Sequence, residues 1–335
     1  MKVLLYSEGL KVIGVSGLGK AIKHQMRALE LENIPYTTDI HDDYDIMHVN
    51  TYFLKSYFLV KKMKRKGIKI VYHAHSTEED YKDGFIFGHL TSKLFKWWIV
   101  KCYKLGDIII TPTEYSKNIL KHYKGLEDKE IFAISNGLEL DFFKPNKKFR
   151  KQFLERYNYN KNDKVIVGIG IYSRRKGIVD FVELARRCPE YKFIWFGHSP
   201  ISAATSDVKN ALKTKLDNLT FAGYVPSEVI REALGGCDLY LFPTYEETEG
   251  IPIIEACAME ANTIIRDIPI FNFLTDGVNV YKATDVDEFE NKIRKFMNGD
   301  LKSVSKGARE IAKNFDIKVV GKKLRKAYEK VLEIH

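Results

Sequence analysis

A run near position 250, Glu246-Glu247-Thr248-Glu249-Gly250-Ile251-Pro252-Ile253-Ile254-Glu255-Ala256, gathers carboxylates around a glycine and a proline. It follows an apolar segment ending at Phe242-Pro243, and Gly250 with Pro252 predicts a turn into a helix with Glu255 in its first turn. Carboxylates so placed can accept hydrogen bonds from sugar and ribose hydroxyls, and free amides at a helix start can hold a phosphate. Glu255 could equally do no more than complement the helix dipole. A second cluster, this one basic, Arg174-Arg175-Lys176-Gly177, follows the apolar run Val165–Gly170. Two phosphates need compensating charge, and arginine offers a bidentate fork; three adjacent cations are otherwise an ordinary solvated loop. His73 and His75 stand at the end of the apolar run Lys69–His73, where a histidine is often only structural. Ser16-Gly17-Leu18-Gly19-Lys20 is a glycine loop that lets backbone approach a ligand closely. Asp285-Val286-Asp287 has the spacing of a metal-binding pair, but it precedes a helical pattern and reads as an N-cap.

The elements that must carry these residues alternate. Val3–Ser7, Asp45–Val49, Lys69–His73, Asp107–Thr111 and Ile131–Ile134 read as buried strands, separated by helical patterns from Lys20 and over Thr51–Lys66, Ser92–Leu105 and Ser116–His122. After a charged stretch from Lys144 to Asp163 the alternation restarts. Strands at Val165–Gly170, Lys192–Gly197, Leu219–Ala222, Leu239–Pro243 and Asn262–Arg266 enclose helices at Ile178–Arg187, Glu228–Leu234 and Ile253–Met259. This predicts an α/β protein of two doubly wound, Rossmann-like parallel-sheet domains facing each other across a cleft. The domains are placed at residues 1–147 and 148–316, with a basic amphipathic helix over 317–335 packing back on the first. Ligands of open α/β sheets bind beyond the carboxyl ends of the strands, which is where the residues above lie.

Composition bounds the partners. The chain has 335 residues, 45% apolar and 29% charged, and a net charge of +10. That charge favours an anionic partner without naming one. The four cysteines have no metal-ligand spacing, so neither a zinc site nor a disulfide framework is expected. The apolar part of the N-terminus is too short for a signal peptide, and no run approaches a bilayer span, so a cytoplasmic protein is expected.

The motifs together resemble those of the retaining glycosyltransferases of the GT-B fold, family 4. Glu247 and Glu255 match its pair of glutamates seven residues apart. Val165–Gly177 resembles its strand and G-R-L-x-x-x-K-G loop, although Ile171 stands where the family has arginine, a charge that falls to Arg175 or Arg174. Ser135-Asn136-Gly137-Leu138-Glu139-Leu140-Asp141-Phe142-Phe143 resembles its N-G-[IV]-D-x-x-x-F stretch. The resemblance implies catalytic roles for Glu247, Lys176 and a strand-end histidine, His75 ahead of His73 because it stands further past the strand. It implies donor contacts from Gly17, Gly19, Arg175, Lys176, Glu247, Gly250, Ile251 and Glu255. It also implies a UDP-hexose donor, no cofactor, no metal and front-face attack with retention. His73-Ala-His-Ser-Thr-Glu-Glu-Asp80, Phe193-Ile-Trp-Phe-Gly197 and Arg266-Asp-Ile-Pro269 are similar to a narrower group, bacterial glycolipid synthases that add a second hexose to glucosyl-diacylglycerol. That likeness implies a glucosyl-diacylglycerol acceptor, galactose ahead of glucose as the sugar, and a peripheral position on the cytoplasmic face of the membrane.

An anionic membrane surface also fits the residues. Residues 1–150 hold 25 basic and 18 acidic side chains. Lys62, Lys64, Arg65 and Lys66 lie near Phe53, Leu54 and Phe58, and Phe95, Trp97 and Trp98 lie in the aromatic run 85–100. A cation near an anionic bilayer is worth about 1 kcal/mol, and aromatic rings suit the headgroup layer. The competing readings are a transferase building a cell-wall or capsular polysaccharide, and a nucleic-acid-binding protein. The second is disfavoured because the basic residues are spread over many helices and no nucleic-acid motif appears.

Overall fold

The computed structural model describes residues 1–9, 17–82 and 88–334. Its chain divides into two compact units. The first comprises Met1–Tyr81, His89–Glu139 and Phe315–His335, and the second comprises Lys82–Gly88 and Leu140–Asn314.

The first unit holds a parallel sheet of six strands: β1 (Val3–Tyr6), β2 (Tyr36–Thr37), β3 (Ile46–Val49), β4 (Lys69–His73), β5 (Ile108–Thr111) and β6 (Ile131–Ala133). Their order is β2-β1-β3-β4-β5-β6. Strands β3 and β5 are buried at every position, as expected where helices cover both faces. The helix Ile317–Glu333 completes this unit. Ile317, Val320, Leu324, Ala327, Tyr328 and Val331 recur at helical spacing and are buried. They share one core with Val3, Ile46, Val71, Ile108 and Leu29. Gly321 allows a close crossing with the helix Gly17–Leu31, because a Cβ there would meet the Ala28 carbonyl oxygen at 2.9 Å.

The second unit repeats the plan with β7 (Val165–Ile169), β8 (Lys192–Phe196), β9 (Leu219–Gly223), β10 (Leu239–Phe242), β11 (Thr263–Arg266) and β12 (Tyr281–Ala283). All pairings are parallel, in the order β12-β11-β10-β7-β8-β9. The order reverses between β7 and β10, so the loops after these two strands lie side by side, the usual ligand position of such sheets. Gly168 lies in β7 because a side chain there would collide with the Trp195 ring at 2.5 Å and Phe181 at 2.8 Å.

The charged stretch after Lys144 carries the helix Lys148–Arg156, whose Phe149, Phe153 and Leu154 are buried. Phe149 and Phe153 pack on Gly235 and Gly236 of the helix Ser227–Gly236. Asp285 caps the helix Val286–Asn298, its carboxylate accepting from the Glu288 amide at 2.9 Å. Among the described residues no group of His, Cys, Asp and Glu is arranged to hold a metal ion. No described helix is long and apolar enough to cross a membrane.

Candidate active site

In the second unit the adjacency of β7 and β10 brings two loops together. Lys176 ends a short 3-10 turn, Arg174–Lys176, and Gly177 follows with φ +75°. A Cβ on Gly177 would lie 2.2 Å from the Pro243 carbonyl oxygen, so only glycine lets this turn rest on the end of β10. Backbone bonds join the loops: the Tyr245 amide and Thr244 hydroxyl donate to the Arg175 carbonyl at 2.8 and 3.0 Å, and the Arg175 guanidinium donates to the Glu246 carbonyl at 2.8 Å.

At their meeting point Glu247 is only 6% exposed. Its Oε1 accepts from Lys176 Nζ and lies 3.3 Å from the Thr244 hydroxyl oxygen, while the Arg175 guanidinium lies 3.5 Å from Oε2. Burial pushes the Glu247 carboxyl up, but the charges of Lys176 and then Arg175 outweigh it and hold the carboxyl below its usual value. The two residues singled out as carboxylate and phosphate cation are thus the two ends of one buried ion pair. An anion entering here finds Arg175 and Lys176 already positioned, and a hydroxyl finds an ionised carboxylate.

Gly250 has φ +80° and precedes the helix Ile251–Ala258, with Ile251 its first residue. Glu255 is its fifth residue, one place beyond the first turn expected from the sequence, so complementing the dipole does not explain it. It is buried. Burial first, then the carboxylates of Glu255 and Glu247, push up the phenol of Tyr240 on β10, so both glutamates act on the same buried phenol.

Sequence reasoning left one part of this site without a role. Arg266, at the end of β11, is buried. It bonds Asp180, the Thr284 carbonyl and, at 3.2 Å, the Pro243 carbonyl, and it stacks 3.9 Å from the Tyr245 ring. Tyr245 in turn donates to Asp180 at 2.7 Å. This brace holds the loop that carries Glu247. An arginine closing an otherwise apolar strand was the available signal.

In the first unit, Gly17 and Gly19 open the helix Gly17–Leu31, while Ser16 of the same motif lies outside the described residues. His24 of this helix is buried, and burial together with Lys20 pushes it down to about 4 against the hydrogen bonds its ring donates to the backbone of Gly137 and Asn136. The glycine loop's helix and the Asn136-Gly137 turn therefore meet. His75 is half-buried just past β4, with Nε2 2.8 Å from Asn50 Oδ1, and burial pushes it down to about 3. His73 is buried behind it, the rings stacked at 3.9 Å.

The surface residues need a correction. Lys62, Arg65 and Lys66 are exposed, while Lys64, also exposed, is folded onto Asp107 and the Leu105 carbonyl. Phe95 and Trp98 are not presented outward. Phe95 stacks on Tyr81 at 4.0 Å, Trp98 donates to the Tyr52 carbonyl at 2.7 Å, and both pack against the core. The helix Gly88–Tyr103 turns Leu90, Leu94 and Trp97 outward instead, at 83%, 66% and 58% exposure. Beside Trp97 is an open cavity of about 450 Å³ lined by Val100 and five lysines, Lys93, Lys96, Lys101, Lys104 and Lys124. Phe85 and Phe87 lie outside the described residues.

Comparison with known proteins bears on this geometry. The family described as "Glycosyl transferases group 1" matches residues 149–315, and "Glycosyltransferase Family 4" matches residues 22–142. The chain is 36% identical over 335 residues to a processive diacylglycerol α-glucosyltransferase of Acholeplasma laidlawii, covering 100% of this chain and 99% of that one. It is 26% identical over 325 residues to an α-galactosylglucosyldiacylglycerol synthase of Streptococcus pneumoniae, covering 94% and 84%. Among solved structures, Anabaena HepE in complex with UDP-glucose superposes with a TM-score of 0.79 at 17% identity, covering 98% of this chain and 100% of that one. The sucrose-phosphate synthase of Thermosynechococcus elongatus gives 0.78 at 16% identity over the full length of both. The protein is a glycosyltransferase. It belongs to family 4, with the GT-B fold.

Proposed function

We propose that this enzyme transfers a hexose from a UDP-sugar to a diacylglycerol-based glycolipid at a membrane surface, with retention and without a metal ion. Full-length likeness to a diacylglycerol glucosyltransferase carries the acceptor class. That relative shifts the weight from galactose to glucose, reversing the order drawn from the sequence, and glucosyl-diacylglycerol remains the acceptor proposed. As the sugar–phosphate bond breaks, negative charge gathers on the leaving diphosphate. Lys176, Arg175 and the amides opening Ile178–Arg187 and Ile251–Ala258 stabilise it there. Glu247 accepts from sugar hydroxyls, Glu255 from the ribose, and His75 bonds a sugar hydroxyl.

The test is transfer from UDP-glucose and UDP-galactose in excess chelator, to diacylglycerol or glucosyl-diacylglycerol in vesicles. Diglycosylated diacylglycerol from one donor, made from the glucosylated acceptor at an undiminished rate in chelator, is expected, and transfer to plain diacylglycerol alone would move the acceptor one step earlier. Abolition by chelator overturns the metal-free mechanism. UDP binding without transfer to either lipid overturns the acceptor.

The membrane face proposed is Leu90, Leu94 and Trp97 with the lysine-lined cavity. Burying one large apolar side chain is worth about 1.5–3 kcal/mol. Leu94→Glu with Trp97→Glu is therefore expected to weaken sedimentation with anionic vesicles at least about tenfold. Unchanged binding would place the membrane contact on another face.

A further inference from the structure

Behind His75 lies a polar chain in an otherwise apolar core, all of it within the first unit. The amides of Gln25 and Asn50, both buried, are paired head to tail: Gln25 Nε2 donates to Asn50 Oδ1 at 2.8 Å, and Asn50 Nδ2 donates to Gln25 Oε1 at 3.0 Å. Asn50 Oδ1 also faces His75 Nε2, and Gln25 Nε2 faces His73 Nδ1 at 3.0 Å. His48 Nε2 reaches the same His73 Nδ1 at 3.0 Å, and His48 Nδ1 lies 2.6 Å from the Tyr328 hydroxyl on the C-terminal helix.

Donor and acceptor roles then follow one from another. An amide oxygen only accepts, so His75 carries its proton on Nε2. An amide nitrogen only donates, so His73 Nδ1 is bare. His48 must donate to it from Nε2, which leaves His48 Nδ1 to accept from Tyr328. Neutral His73 then carries its proton on Nε2, a buried N–H with no hydrogen-bond partner among the described residues. Turning both amides over would reverse every bond and give His75 the opposite tautomer.

We propose that Tyr328 is a positioning residue for His75, acting through His48, His73, Gln25 and Asn50 to hold it as the Nε2–H tautomer with Nδ1 as a hydrogen-bond acceptor. Burial keeps His75 and His48 neutral at physiological pH, both pushed down to about 3. His75 therefore offers substrate a lone pair and no proton: it takes the hydrogen of a sugar hydroxyl and is no general acid. This rests on the reading that His75 serves transfer.

Nitrogen NMR of histidine-labelled protein, with His75 assigned by His75→Gln, reads the tautomer without substrate. A protonated Nε2 and bare Nδ1 are expected for His75 in the native protein. Tyr328→Phe is expected to move both the His48 and the His75 signals and to lower kcat roughly 3- to 10-fold with KM for the UDP-sugar unchanged. Leu324→Val is the control, since it loosens the packing of the same helix face without removing a polar atom. A protonated Nδ1 on native His75, a His75 signal unmoved by Tyr328→Phe, or equal losses in Tyr328→Phe and Leu324→Val would each overturn the proposal. Native protein that shows the tautomer but no transfer from any UDP-sugar overturns the functional reading and leaves the relay standing.

Discussion

Glu247→Ala is expected to cost both catalysis and folding. Transfer should fall by at least about 30-fold, the equivalent of ~2 kcal/mol for a lost hydrogen bond to a charged group. Stability should fall because Lys176 and Arg175 would face each other with no carboxylate between them. Breaking a buried ion pair on one side typically costs about 3–5 kcal/mol. Glu247→Gln keeps the shape and removes the charge, so it separates the two effects. Because folding lowers the carboxyl below its ordinary 4.5, its contribution is fully present above that value and is lost as pH falls through the folded pKa. The gap in thermal midpoint between native and Glu247→Gln protein should thus be widest near neutrality and close in acid. A gap independent of pH would mean the carboxylate's charge is not what stabilises the loops. Native-level transfer by Glu247→Gln would remove Glu247 from the reaction.

Lys176→Ala is expected to raise the dissociation constant of UDP by about 10- to 100-fold, the range of a charge-assisted bond worth 1.5–3 kcal/mol. Uridine, which lacks the diphosphate, should bind Lys176→Ala as it binds the native protein. Calorimetry with the two ligands separates a phosphate contact from general damage to the loop. Equal weakening of both would mean that Lys176 shapes the site through its bond to Glu247. Unchanged UDP affinity would move the diphosphate elsewhere.

Parallel strands buried on both faces leave unbroken apolar runs, so Val165–Ile169 and Leu239–Phe242 were legible without a structure. The edge strands Tyr36–Thr37 and Tyr281–Ala283 were not, being too short to show a period. The helix Lys148–Arg156 escaped notice because Phe149, Phe153 and Leu154 are its buried apolar residues amid charge. At the site, types and local spacing were readable, and partnership was not. Lys176 and Glu247 are 71 residues apart, and they meet only because the strand order reverses between β7 and β10. Phe95 and Trp98 misled because aromatic composition says nothing about which helix face the core takes. The chain of bonds behind His75 had one signal, His48 inside the apolar strand Ile46–Val49, and nothing in the sequence tied it to a tyrosine 280 residues on.

The first unit is made of the chain's beginning and its end, with the second unit between. During synthesis the strands β1 to β6 leave the ribosome first, yet their apolar face lacks Val320, Leu324 and Tyr328 until the second unit has been translated. At roughly 5–20 residues per second that wait lasts on the order of ten seconds or more. The usual order of assembly, in which the leading domain matures first, is therefore expected to be inverted here. Over that interval the nascent first unit presents an unfinished apolar face, and His48 meets Tyr328 only after residues 140–314 have been made.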